Sequence, residues 1–411
     1  MSQGWAAAWR APLRGLSLQW LSIVFTATVS LALSVWLART MGPAGFGRYA
    51  YLLSLATLLA LLQDVGLRTL VLREGVAASI PAPVARALPA LARGHLIGTT
   101  LLLAAASLLV AQAGGDPALV WAVLCLGAVT LTQLVSAQLK AAGRWQRDAG
   151  WLAGARVVSA LVVVAAVLLL GPAPGVVFAA WGSGLVLAYL WMAKDVHQRP
   201  RWRPQPLAYR AAASFFWIDT ATALYRRSDV VILQHAVPSA ALGQYAAAYR
   251  VFDGVLLLAM PVALLLFRQL RLRHAQSLQA QRLQTQALWI AAIAGLGLAA
   301  AGACLGSWLM EVLYGAAYRA VAGPILGWLF AAFVFVLPNY VLTQAAIAAD
   351  QQRWYVIGAG LAAVVNIVLN LLLARAYGVR GAAAAVIVTE AMLTGVLWYG
   401  LRRAGRGRSA T

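Results

Sequence analysis

Long apolar runs, separated by short polar stretches rich in arginine, make up most of this chain. They fall at 16–37, 48–67, 95–113, 117–138, 152–171, 174–193, 209–233, 242–267, 286–312, 323–348, 354–375 and 381–401. Each is about 20 residues or longer, enough for a helix to cross a bilayer's hydrocarbon core. The pattern predicts about twelve transmembrane helices. The first run follows Arg10 and Arg14, as the apolar part of a signal peptide would, but it is too long for one and its flank recurs later in the chain, so it is expected to stay as a membrane helix.

Composition agrees. Of 411 residues 63% are hydrophobic and only 10% charged, against roughly a quarter charged in soluble domains. So few charges could not cover the surfaces of two or three soluble domains, and so apolar a chain is not disordered. The net charge of +21 would suggest nucleic acid in a soluble protein. Here most basic residues lie in the connections, so they set topology and no nucleic-acid partner is expected. Twelve crossings place both termini on one side. The segments on that side hold 23 Lys and Arg, against 5 on the other side (Arg39, Arg48, Arg319, Arg375, Arg380). Basic loops stay in the cytoplasm, so both termini are expected there. Cys125 and Cys304 stand alone inside apolar runs, which predicts neither a disulfide framework nor a zinc site.

The chain also repeats itself. Residues 37–50 (LARTMGPAGFGRYA) and 233–246 (LQHAVPSAALGQYA) share Leu37/Leu233, Ala44/Ala240, Gly47/Gly243, Tyr49/Tyr245 and Ala50/Ala246 at a shift of 196. Each joins the first and second helices of a six-helix half. Arg144-Trp145 and Arg353-Trp354 form a second echo at a shift of 209. The expected fold is an all-α polytopic membrane protein of two parallel six-helix lobes about a pseudo-two-fold axis. Residues 1–194 form the first lobe, 195–208 a cytoplasmic linker and 209–411 the second lobe. The linker's Arg199-Pro200-Arg201-Trp202-Arg203-Pro204 reads as a hinge, or as an anchor on anionic lipid.

A charge inside a span costs several kcal/mol unless it is paired or wet. The seventh run carries Asp219, Thr222, Arg226 and Asp229 on one helical stripe, with Arg227 beside it, and the eighth carries Arg250 and Asp253 three apart. Glu390 sits in the middle of the twelfth. Arg226, Arg227 and Arg250 are the candidate anion-binding residues, because a guanidinium forks two hydrogen bonds onto a phosphate. Asp219, Asp229, Asp253 and Glu390 are candidates for ion coupling or for charge pairing. Self-neutralising Arg226–Asp229 and Arg250–Asp253 pairs are the structural alternative. Pro261 is expected to interrupt the eighth helix, and Pro338 with Asn339 the tenth.

Three stretches resemble a known family. They are 37–74, with its G-P-x-G-F-G-x-Y turn and D-x-G-L ending; 214–250, where S-D-V-V-I-L precedes L-G-Q-Y-A-A-A-Y-R; and 313–390, with L-Y-G-x-x-Y, N-I-V-L-N and Y-G-V-R-G-A-A-A-A. Together they resemble the Wzx-type oligosaccharide flippases, the polysaccharide transport branch of the multidrug/oligosaccharidyl-lipid/polysaccharide exporter superfamily. The resemblance implies a flippase that moves a lipid-linked oligosaccharide, usually on undecaprenyl diphosphate, across the bacterial cytoplasmic (inner) membrane by alternating access, for surface polysaccharide assembly. It implies a cationic cavity to which the second motif contributes Asp229, Tyr249 and Arg250, with Arg226 nearby. It also implies a functional association with a polysaccharide polymerase and glycosyltransferases. No catalytic residue, metal or cofactor is expected; coupling would be to H+ or Na+. A small-solute or multidrug antiporter of the same superfamily, or a membrane-embedded enzyme of polysaccharide assembly, is the alternative reading.

Overall fold

A computed structural model describes residues 3–77, 79–272 and 277–408; Arg273 and His274 lie outside them. Among the described residues there is no strand. The helices are α1 (Gln3–Asp64), α2 (Leu67–Val76), α3 (Ala82–Gln112), α4 (Ala118–Ala141), α5 (Trp145–Leu170), α6 (Pro174–Met192), α7 (Pro206–Leu233), α8 (Ser239–Leu272), α9 (Ser277–Tyr314), α10 (Arg319–Ala331), α11 (Phe333–Ala348) and α12 (Gln352–Arg408). α1 and α12 are each two helices joined at a glycine with positive φ, Gly42 (φ 68°) and Gly378 (φ 58°). That backbone is open to glycine and strained for other residues. α10 and α11 form one crossing. α2 is too short to span, and the described helices therefore make twelve crossings, as the apolar runs predict.

Among the described residues eight stretches are long and apolar enough to cross a membrane by length and composition, and the protein is a multi-pass membrane protein. α7 and α8 carry Asp219, Arg226, Arg227, Asp229, Arg250 and Asp253.

Two proline expectations need correction. α8 runs unbroken through residue 261. The break in the tenth crossing falls at Ala332, and Pro338 lies inside α11. A proline removes one backbone hydrogen bond and crowds the carbonyl four residues back, so the break falls N-terminal to the ring.

The chain divides into two compact units, Met1–Leu37 with Leu52–Thr220, and Ala38–Tyr51 with Ala221–Thr411. Two apolar centres are seen among the described residues of the first. Leu67, Leu70, Leu88, Leu91, Leu134 and Ala212 join α2, α3, α4 and the start of α7. Val135, Leu139, Trp151, Ala155, Leu185 and Ala188 join α4, α5 and α6. The segment before α7 is fastened to this unit. The guanidinium of Arg93 donates to the carbonyls of Gln198 (2.8 Å) and Val196 (3.1 Å), and the Arg201 N–H donates to the Ala90 carbonyl at 2.9 Å. Arg144 and Arg147 hold Asp195 at 3.2 and 2.8 Å. The Arg201 backbone lies so close to Gly94 that a Cβ there would stand 2.2 Å from its carbonyl oxygen. The Arg-Pro segment is thus a strap across α3.

In the second unit α9 packs on α10 and α11 through small residues. Gly295 lies under the Phe333 backbone, Gly302 under the Phe330 side chain and Gly306 against Gly323. Small residues let membrane helices approach until their backbones touch. The same unit holds the 196-residue repeat as a reciprocal contact. A Cβ on Gly47 would stand 1.9 Å from the Ser239 carbonyl oxygen, and one on Gly243 would stand 1.9 Å from the Pro43 carbonyl oxygen. Positions 43 and 239, like 47 and 243, differ by that shift. Residue i meeting j while j meets i is the signature of a two-fold relation.

Candidate functional site

The charged stripe of α7 continues past the point where the chain changes units. Asp219 belongs to the first unit. There Arg68 lies 3.6 Å from Asp219 and 3.7 Å from Asp64, and also donates to the Gln133 side-chain oxygen. One guanidinium therefore serves two carboxylates and an amide. Asp219 is a charge-paired residue in this structure.

Arg226, Arg227 and Asp229 belong to the second unit with α8. Arg226 Nη2 donates to Asp253 Oδ1 at 2.7 Å, and the Arg226 side chain stays 44% exposed. Arg226 and Asp229 are three apart on one helix, yet they do not pair. The buried Asp229 accepts from the Tyr245 hydroxyl at 2.6 Å and from the Val230 N–H at 2.7 Å. Arg250 does not pair with Asp253 either. The sequence-based pairs Arg226–Asp229 and Arg250–Asp253 are therefore replaced by Arg226–Asp253 and Tyr245–Asp229. A shared helical face brings two Cβ atoms near each other, but long side chains also reach across to the neighbouring helix, and here that bond is the one formed.

Arg227 and Arg250 form no hydrogen bond or ion pair among the described residues, and both are half-buried. Arg227 lies within electrostatic reach of Arg250, Asp253, Tyr249 and Arg226. Arg226 is thus paired with Asp253, Arg227 lies within electrostatic reach of both Asp253 and Asp229, and the hydrogen bonds of Asp229 come from neutral donors. At 1.5 Å per residue Arg226 lies about 10 Å from the end of α7, and Arg250 about 17 Å from the start of α8.

A row of rings fixes α8 against its neighbours. Centroids lie 5.7 Å apart for Tyr245–Tyr249, 5.6 Å for Tyr249–Phe252, 4.7 Å for Phe252–Phe333 and 5.2 Å for Phe330–Phe333. Such pairs are each worth about 1 kcal/mol beyond their burial. They hold Arg250 and Asp253 in place without charge.

Glu390 is buried in α12 and takes neutral donors. Tyr225 Oη–H donates to its Oε1. Asn339 Nδ2 donates to its Oε2 at 2.8 Å and to its backbone oxygen at 2.9 Å. Tyr225 and Tyr245 had no role in the sequence reading, and Asn339 had only that of a helix break. Tyr245 had one available signal, its repeat position opposite Tyr49.

The chain is similar to several solved membrane transporters. Against "Lipid II flippase MurJ, inward closed conformation" the TM-score is 0.73 at 12% identity, covering 94% of this chain and 87% of that one. A multidrug resistance MATE family transporter of the MOP superfamily in its inward-facing conformation gives 0.71 at 12% identity, with 95% and 99% covered. A MOP superfamily transporter from Pyrococcus furiosus gives 0.59 at 12% identity, with 95% and 96% covered. These likenesses establish the all-α transporter fold. No curated protein matches. The family model for "Polysaccharide biosynthesis protein" matches residues 13–267, more than half of the chain, and the chain belongs to that family.

Proposed function

We propose that this protein is a flippase for a lipid-linked oligosaccharide of the undecaprenyl diphosphate type, working by alternating access in the bacterial inner membrane with both termini cytoplasmic. The observation that carries the reading is the pair of guanidinium groups, Arg227 and Arg250, that form no hydrogen bond or ion pair among the described residues and lie within electrostatic reach of each other beside the Arg226–Asp253 pair. A diphosphate head cannot cross about 30 Å of hydrocarbon without replacing its water. Arginine forks supply that replacement, and their charge suits phosphate better than it suits the cationic drugs of a multidrug antiporter. Family membership and the likeness to a lipid II flippase support the same reading. Alternating access would open the arginine cluster to one side of the membrane and then to the other. Glu390, Asp229, Asp253 and Asp219 are the groups available for H+ or Na+ coupling; a polymerase and glycosyltransferases would work on the same lipid.

The test is export in cells. Arg227→Ala and Arg250→Ala should each cut surface glycan by roughly 10- to 100-fold, the worth of one charged hydrogen bond, while the protein accumulates in the membrane and the lipid-linked intermediate builds up inside. Lysine at either position should restore only part of the activity. Normal export by both alanine variants would overturn the reading.

A further inference from the structure

A cavity of about 720 Å³ opens in the second unit, with none of Arg226, Arg227 and Arg250 in its lining. It lies among the end of α8, the start of α9, α11 and α12. Its chemistry is graded along three helices. Gln281 on α9, Gln351 after α11 and Arg402 on α12 line one end; Leu288, Pro338 and Thr394 line the other. The steps from polar to deep positions are 7 to 13 residues, or about 10–20 Å of helix rise. Among the described residues no Asp or Glu lines the cavity, and Asp350, between the lining residues Ala349 and Gln351, is paired with Arg271 at 2.7 Å. Arg402 is exposed, with its guanidinium 4.5 Å from the centre of the Trp398 ring. One wall is Trp289, 67% exposed on an apolar face that continues through Ile290, Ile293 and Leu296. In a membrane protein such a face meets lipid, so the cavity can be entered from the bilayer.

We propose that this cavity seats an anionic phospholipid of the adjoining leaflet, with one acyl chain along Leu288, Leu342 and Pro338 and the phosphate at Arg402. The size falls within the usual range of ligand pockets. A cation at an amphipathic cavity's mouth, with no carboxylate to neutralise it, complements a phosphate head, and basic pockets between membrane helices take up anionic lipid in this way. Trp398, against the Arg402 guanidinium, places the mouth near the head groups, where indole rings concentrate. The bound lipid would brace α9 against α11 and α12.

The experiment uses the purified full chain, with retained lipid counted by native mass spectrometry. Phosphatidylglycerol should be retained and should raise Tm; phosphatidylcholine should do neither. Arg402→Gln should weaken phosphatidylglycerol binding about 5-fold, the value of one basic residue at a lipid surface. Ala345→Phe, which fills the cavity and leaves the cation in place, should also lose the lipid. If that variant fails to fold, the Arg402→Gln comparison still decides. Equal retention of both lipids, an unchanged Arg402→Gln protein, or displacement of phosphatidylglycerol by undecaprenyl phosphate would each overturn the proposal. Arg250→Ala should bind phosphatidylglycerol normally, so failure here is separable from failure of the flippase reading.

Discussion

The two units treat the same pair of residue types in opposite ways. In the first, Arg68 is shared among Asp64, Asp219 and Gln133. In the second, Arg226 takes Asp253, Asp229 is hydrogen-bonded by a phenol and a backbone N–H, and Arg227 and Arg250 lie near each other with no ion pair among the described residues. The first arrangement uses up its cation; the second leaves cation to spare. Intramembrane arginine alone is thus a poor sign of an anion site. What matters is how many carboxylates lie within reach and whether neutral donors have already taken them.

The comparison can be broken most severely by giving the second unit the balance of the first. Arg250→Glu should abolish transport, a loss beyond about 100-fold, with the protein still in the membrane by immunoblot; retained transport would show that excess cation is irrelevant. Arg68→Gln should act on stability instead. It leaves Asp64 and Asp219 without their shared partner, and the part-exposed setting limits the cost to about 1 kcal/mol, read as a lowered Tm in detergent with transport largely kept. A double-mutant cycle on Arg226→Ala and Asp253→Ala should give a coupling of about 0.5–1 kcal/mol, because Arg226 is 44% exposed. A near-zero coupling would mean that Arg226 too is free for ligand.

The smallest effect belongs to a carboxylate at the edge of the first unit. Burial acts to raise the pKa of Glu74, but the Ser79 hydroxyl and N–H, the Arg73 guanidinium and the Ile80 N–H outweigh it and hold the group at about 2, below its ordinary 4.5. Its contribution to stability is therefore complete above about pH 4.5 and is lost as pH falls through about 2. Glu74→Gln should lower Tm by a degree or two at neutral pH, and the difference from the native chain should close as pH falls through about 2.

Much of this was readable from the amino acids. The twelve crossings follow from run length, and the charges of α7 and α8 stand out inside two of those runs. The repeat at a shift of 196 pointed to the positions where Gly47 meets Ser239 and Gly243 meets Pro43. The pairing of charges was not readable, because spacing along one helix says nothing about a neighbour's rotation. Tyr225 and Asn339 were hidden for a similar reason: a neutral donor in an apolar run carries no mark until the carboxylate it serves is seen beside it. The strap was hidden as well, since an Arg-Pro segment looks free until the carbonyls around Ala90 and Gln198 are found bonded.

The backbone passes from one compact unit to the other at three places, 37/38, 51/52 and 220/221. Each lies within a helix, α1 or α7. Proteolytic enzymes need extended, accessible chain, and none of these junctions offers it. A nick at Arg199, Arg201 or Arg203 would yield two fragments whose boundary misses the structural seam, with the opening turns of α7 left on the wrong piece.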